Sequence, residues 1–413
     1  MTKYISNFKI IIGGLLFFTQ LSFNAQSDSL TSHKNNDSTR SKMNMDAIYN
    51  RPFLTSKKLP VAIGGYIEGN TEYRSSAGVS DGLQFQMRRM TLFVSSTMTK
   101  KIKFLSELEL EEGTKEINLE YCAMDIEAHP LLNFRGGIIM NPIGAFNQNH
   151  DGPRWDFIDR PITATGIIPS TLSNVGMGIH GKYFSHLWII GYEFYLTNGF
   201  DEKVINNTEG RTSLHAGKEN ADKFGESFNG SPLNTGKLAI RHRNIGEIGF
   251  SYMTGIYNKW QIEGLKVDNK RKASIFAVDY NTSLFNNRLS IIGEYDRAMI
   301  QVPNLYTQQF GSLQWGAYTD IIYTVLQQKM FGWERAKLNI GARLEWVDYN
   351  DGRFRETKTN IGDDIKAIVP TIAFRPSGTT VIRLNYRYEW SHDLFNNPTV
   401  TAQAIQFGFS SYF

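Results

Sequence analysis

From Val381 to Trp390 the chain alternates residue by residue. Ile382, Leu384, Tyr386, Tyr388 and Trp390 share one parity, and Arg383, Asn385, Arg387 and Glu389 share the other. Successive side chains of an extended strand point to opposite faces, so this stretch predicts a strand with one apolar, aromatic face and one charged face. The pattern recurs from Val61 to Arg74, where Tyr66, Glu68, Asn70, Glu72 and Arg74 share a parity. It recurs again from Lys103 to Glu111 and from Leu187 to Thr197. A soluble sandwich would bury the apolar row and expose the charges. A barrel in a bilayer inverts this, with the apolar row toward lipid and the charges toward a wet lumen.

Both ends of the sequence fit that expectation. In the final stretch Ile405, Phe407, Phe409 and Phe413 share a parity against Gln406, Gly408 and Ser410. A last strand of this kind resembles the signal read by bacterial outer-membrane assembly machinery. At the other end, Lys3 and Lys9 supply a positive region before an apolar run from Ile10 to Phe18, and Phe23-Asn-Ala-Gln26 offers a cut after Ala25, with a cut near Ser22 as the alternative. Residues 1–25 thus read as a secretory signal whose core is too short to span a bilayer. Residues 26–58 are polar and read as a flexible periplasmic lead-in, and 59–413 as the barrel. The single Cys122 precludes an intramolecular disulfide and reads as an ordinary strand residue.

Composition excludes other classes. Forty-four basic residues stand against 40 acidic ones, too balanced for a nucleic-acid binder. No later window reaches eighteen uncharged apolar residues, so helical spans are not expected. The 27 Phe, 19 Tyr and 7 Trp suit strands bordered by aromatic girdles, to which Trp188, Trp346, Trp390 and Tyr412 are assigned. The periodicity predicts an all-β, antiparallel transmembrane barrel of about sixteen strands. Short connections such as Ser185-His186 and Pro376-Gly378 alternate with long ones at 141–174, 199–235, 257–272, 299–313, 349–365 and 391–400. Short turns on the periplasmic side place both termini there. The first two outer connections are read at 75–82 and 113–116, which makes 141–174 the third.

Five segments carry a resemblance to a known family: Gln84-Phe-Gln-Met-Arg-Arg-Met-Thr-Leu92, Phe104-Leu-Ser-Glu-Leu-Glu109, Gly136-Gly-Ile-Ile-Met-Asn-Pro-Ile-Gly144, Gly293-Glu-Tyr295 and Ala342-Arg-Leu-Glu-Trp-Val-Asp348. In order along nearly the whole mature chain, they resemble the phosphate-selective porin O/P family of Gram-negative outer membranes. The resemblance implies a sixteen-stranded barrel, usually a homotrimer, that conducts small anions through a constriction built by an inward-folded third outer loop. In this chain that loop carries Arg154, Asp156, Asp159 and Arg160, which are the expected constriction residues.

Anion preference requires Arg and Lys facing the lumen, where low-dielectric walls focus their field. Parity puts Arg135, Lys237, Arg241, Arg243, Arg288, Arg343, Arg383 and Arg387 on the wet face, but also Glu68, Glu72, Glu107, Glu109, Glu111, Glu120, Glu193, Glu294, Asp296, Glu345 and Glu389. No unbroken basic ladder results, so the residues argue for a general or weakly selective pore for small hydrophilic solutes, with anions such as phosphate as candidate cargo. Arg88 and Arg89 are adjacent, so a regular strand would send one into lipid. Either a bulge turns both inward as an arginine pair lining the pore, making Arg88 a lumen residue, or the outward one is an anchor at the headgroups paired to the Glu-rich neighbouring strand.

Other motifs carry less. His150-Asp151 with Arg154 and Asp156 has no second His at ligand spacing, so neither a metal centre nor a catalytic group is expected, and no cofactor is implied. Gly176-Met-Gly178 lacks a surrounding βα unit. Trp155 and Trp315 are candidate sugar contacts. Against the diffusion pore stand an adhesion or structural barrel acting through the 199–235 loop and a barrel enzyme. The enzyme would need a Ser or Asp beside a His on adjacent outer strands, and no such pair is apparent.

Overall fold

The computed structural model describes residues 42–52, 54, 61–218, 220, 223–305 and 310–413, apart from the Thr114 side chain. The expected signal at 1–25 and lead-in residues 26–41 lie outside the described residues. Eighteen strands are present among the described residues: β1 Val61–Ser76, β2 Val79–Thr99, β3 Ile102–Glu111, β4 Glu116–His129, β5 Leu132–Met140, β6 Ser173–Phe184, β7 Trp188–Thr197, β8 Leu233–His242, β9 Gly246–Ile256, β10 Gln261–Ile262, β11 Leu265–Lys266, β12 Lys272–Leu284, β13 Leu289–Ile300, β14 Leu313–Met330, β15 Trp333–Asp348, β16 Asp364–Arg375, β17 Thr380–Ser391 and β18 Val400–Tyr412. Strands β10 and β11 form a small hairpin in an outer loop. The other sixteen close an all-antiparallel barrel in chain order, with β18 returning to β1.

The period of two sets the two faces. On β17, Leu384 and Tyr386 are exposed outward while Arg383, Asn385 and Arg387 are buried within. On β18, Ile405, Phe407 and Phe409 point outward. The closing seam pairs Gly69 with Phe409, and the backbones of Gly65 and Phe413 exchange hydrogen bonds of 3.0 and 3.1 Å. A Cβ at Gly65 would sit 2.7 Å from the Phe413 ring and one at Gly69 would sit 3.2 Å from the Phe409 ring. Glycine on β1 therefore leaves the room in which the aromatic rings of β18 lie.

Three sequence expectations change. The first outer connection is a two-residue turn at Ala77 and Gly78, both with positive φ, and not a loop over 75–82. Tyr412 is no girdle residue: its parity turns it inward, where its hydroxyl donates to Asp151 at 2.6 Å, while Trp188, Trp346 and Trp390 do face outward. Arg243 and Arg288 sit at short turns beyond the ends of β8 and β12, not within the wall.

A loop threaded through a charged barrel

The connection between β5 and β6, residues Asn141 to Leu172, runs inside the barrel and is buried along most of its length. A loop with so little regular structure leaves most of its backbone polar groups without internal partners, and burial makes each unpaired group costly. The wall supplies the partners. Glu294 on β13 accepts from the amides of Ala145 and Phe146 at 2.6 and 3.0 Å, Glu345 on β15 accepts from Ile162 at 2.8 Å, and Asn385 on β17 accepts from Ile158 at 2.7 Å. In the opposite sense, Lys237 donates to the Gly144 carbonyl at 2.6 Å. Arg343, Arg375 and Arg383 donate to the carbonyls of Asp159, Pro153 and Phe157, each at 2.7 Å. The mixture of acids and bases on the inner wall is thus the complement of a peptide backbone, which presents donors and acceptors in equal number.

Loop side chains lock the same arrangement. Asp156 receives Asn339 at 2.9 Å and Arg375 at 2.7 Å, and Asp159 receives Arg88 at 2.6 Å and Gln406 at 2.7 Å. Arg154 donates to the Tyr412 hydroxyl at 2.9 Å and to Asn149 at 2.6 Å, and Arg160 donates to Ser170 at 3.0 Å and lies 3.4 Å from Glu109. All four expected constriction residues therefore lie in the barrel interior, each engaged by the wall or by the loop itself. Burial works against the Asp159 carboxylate, but Arg88 and Arg387 outweigh it and hold its pKa well below the usual carboxylate range.

Arg88 and Arg89 both turn inward. The pairing of β1 with β2 slips at this point, Glu68 facing Arg89 and Gly69 facing Met87, so Arg88 is the extra residue of a bulge. Arg88 reaches the loop, whereas Arg89 pairs with Glu68 at 3.0 Å and Glu111 at 2.8 Å. Other wall arginines are likewise paired: Arg135 with Asp125 at 2.9 Å and Tyr195 at 2.8 Å, Arg241 with Glu247 at 3.6 Å, Arg343 with Asp320 at 2.6 Å, Arg383 with Glu68 at 2.8 Å, and Arg387 with Glu345 at 2.8 Å, whereas buried Glu120 on β4 has only Lys218 nearby among the described residues, at 4.0 Å. Glu109 also accepts from Tyr66 and Thr91, both at 3.0 Å.

The part of the lead-in that is described departs from the expected flexible segment. Residues 43–52 and Leu54 lie within the barrel, in the half nearest the short turns, because Met43, Met45, Ile48 and Leu54 find apolar partners on the wall and Arg51 finds two carboxylates. Arg51 donates to Glu107 at 2.9 Å and to Asp151 at 2.7 and 2.9 Å, and its guanidinium lies 3.8 Å from the centre of the Phe93 ring. Sequence reasoning missed Arg51; its only signal was a single arginine within Ala47-Ile-Tyr-Asn-Arg-Pro-Phe-Leu54, a stretch more apolar than the rest of the lead-in.

Glu107, His150 and Asp151 gather their ligand-type atoms within 4.8 Å of one another. In this cluster Arg51 already bridges the two carboxylates, and His150 Nε2 lies 3.1 Å from Glu107 while Nδ1 lies 2.9 Å from the Asn147 carbonyl. Arg51, His150 and the two carboxylates thus form a buried ion-pair network. Burial disfavours the His150 imidazolium, but Glu107 and Asp151 prevail over it and over Arg51, raising the pKa. Asp151 is held well below the usual range, since Arg51 and Arg154 outweigh its burial.

A pH dependence follows with a definite sign. Because the His150 pKa is raised on folding, its contribution is complete below the ordinary value of about 6.5 and fades as pH rises through the folded value. Hydrogen exchange of residues 147–152, corrected for intrinsic rates, should therefore be more protected at acid than at mildly alkaline pH. The His150→Asn variant should lose that difference; persistence of the full difference would assign it to other groups.

Trp155, a candidate sugar contact, is buried with its ring 4.9 Å from that of Phe146, so it is not presented to a solute. The 198–218 part of the next outer connection folds over the loop's return: Lys218 donates to the Ser170 carbonyl at 2.6 Å, and Phe200, Val204 and Leu214 join Ile143, Ile167, Ile168 and Leu172 in an apolar cluster.

No family model matches the chain. An uncharacterized protein of Aquifex aeolicus is 29% identical over 211 residues, 49% of this chain. The match spans 46% of that relative's length. Among solved structures, OprB of Pseudomonas putida aligns with a TM-score of 0.55 at 8% identity, over 86% of this chain and 94% of that one. The anion-selective porin from Comamonas acidovorans aligns with a TM-score of 0.53 at 11% identity, over 86% of this chain and 99% of that one. At such identities the likeness establishes the fold: a sixteen-stranded antiparallel barrel of the porin type.

Proposed function

We propose that the chain is an outer-membrane porin of a Gram-negative bacterium that passes small hydrophilic solutes by passive diffusion. The observation that carries this reading is the loop from Asn141 to Leu172, folded into a closed sixteen-stranded barrel whose outer face is apolar and whose inner face is charged. The bilayer meets the apolar face, the third outer loop narrows the path, and ions and small solutes move through what the loop leaves open. The resemblance to the phosphate-selective porin O/P family extends the proposal to anions such as phosphate and to a homotrimer. The strand ending at Phe413 is the proposed handle for the outer-membrane assembly machinery.

Selectivity on this reading is mild. The wall arginines are already paired with carboxylates or with loop carbonyls, so little uncompensated positive charge remains to attract an anion. Arg154, whose side chain is part exposed, and Arg160 are the loop cations closest to acting on a passing ion. Replacing both with Ala should shift the reversal potential of the reconstituted protein toward cation preference in a potassium chloride gradient. An unchanged potential in a folded double variant would remove the loop from selectivity. Phosphate block of the wild-type steps separates an anion-preferring pore from a general one.

A further inference from the structure

We infer that residues 43–52 and Leu54 form a tethered plug, and that the wall from β2 to β12 carries a built receptor for it. The inference rests on the diffusion-pore reading above. Contact by contact, the receptor is specific. Arg51 enters a pocket of Glu107, Asp151 and Phe93, and the Leu54 carbonyl accepts from Ser95 at 2.8 Å. The Tyr49 hydroxyl pairs with Tyr121 at 2.7 Å and with Asp125, while Arg135 lies 5.1 Å from the centre of its ring. Asp46 pairs with Lys182. The Asn44 amide donates to Glu247 at 3.2 Å, and its side chain donates to Asp279 at 3.3 Å.

The wall is also shaped for this segment. Met43 and Met45 pack on Ile189 and Ala239, and a Cβ at Gly191 on β7 would come within 2.5 Å of the Met45 sulfur and 3.0 Å of that of Met43. Glycine there leaves a seat for two thioethers. The plug meets the inward loop as well, since Arg154 donates to the Ala47 carbonyl at 2.6 Å. With both in place, Glu107, Asp279, Glu193 and Lys237, which would line a wet lumen, are at most 5% exposed.

Apart from the two apolar seats, the segment is held by ion pairs and hydrogen bonds, and it is joined to β1 by only a few residues, 55–60. Such a segment can leave its seat without unfolding the wall. Its displacement opens the path between the inward loop and the arc from β2 to β9.

The test compares the full chain with a variant lacking residues 43–54 and with Arg51→Ala in planar bilayers, each first shown to be folded by heat-modifiable migration. The deletion should raise single-channel conductance or open probability several-fold, and Arg51→Ala should raise open probability by a smaller factor. A synthetic peptide of residues 42–54, added on the side of the short turns, should block the deletion variant and leave the full chain unaffected. Equal conductance and open probability in the full chain and the folded deletion variant would overturn the plug while leaving the pore intact. Silence from both would overturn the pore reading and the plug with it.

Discussion

Arg343→Met should be the most destabilising single change in the wall. Arg343 is 1% exposed; its Nε and a terminal nitrogen hold both oxygens of Asp320 at 2.6 and 2.8 Å, its other terminal nitrogen donates to the Asp159 carbonyl, and it lies 4.4 Å from the centre of the Phe157 ring. Methionine fills much of the volume but leaves Asp320 as a buried, unpaired carboxylate. Breaking one side of such a pair costs about 3–5 kcal/mol. Removing both charges, with Asp320→Leu added, should recover most of that loss, because the pair's mutual attraction mainly offsets its own desolvation. Guanidinium unfolding of the lipid-reconstituted barrel reads both. A single variant as stable as wild type would mean that water reaches Asp320.

Leu384→Arg should show the opposite face by the same kind of charge. Leu384 is one residue from buried Arg383 and points outward, 45% exposed, near the middle of β17. An arginine on the lipid face near the midplane costs roughly 2–4 kcal/mol, whereas arginine one position earlier is the native residue. Folding yield and urea midpoint in vesicles should fall for Leu384→Arg. An unaffected variant would place this surface against water or against another polypeptide.

The wall was legible in the sequence because a strand's period of two writes its environment into every second residue. The alternating stretches Val61 to Arg74, Lys103 to Glu111, Leu187 to Thr197 and Val381 to Trp390 fall on β1, β3, β7 and β17 within two residues at either end, and the expected count of about sixteen is the count of the closed barrel. The inward course of the third loop came only from resemblance, since nothing local in Asn141 to Leu172 distinguishes an inward loop from an outward one. What could not be read is which charges meet. Parity placed Glu294, Glu345 and Arg383 on the inner face, but their partners are backbone groups 148 to 226 residues away in sequence, reached only after closure. Arg88 was undecidable for a related reason: a bulge depends on the register of two strands together. The seating of residues 43–52 and Leu54 was not legible because composition measures average polarity, and four apolar residues and one arginine at suitable intervals suffice to seat them.

The glycines of β1 bear on assembly fidelity. Closing a sheet into a ring means that the last strand must choose one alignment against the first, and a slip by one residue would turn every side chain of β18 over. At the observed seam the Phe413 and Phe409 rings lie over Gly65 and Gly69, two bare patches of backbone four positions apart. A two-residue slip keeps the faces correct but sets those rings against Ile67 and Ile63, or Ile67 and Thr71, in place of the glycines. The spacing of two absent side chains thus acts as a ruler that rejects the misalignments parity alone would accept.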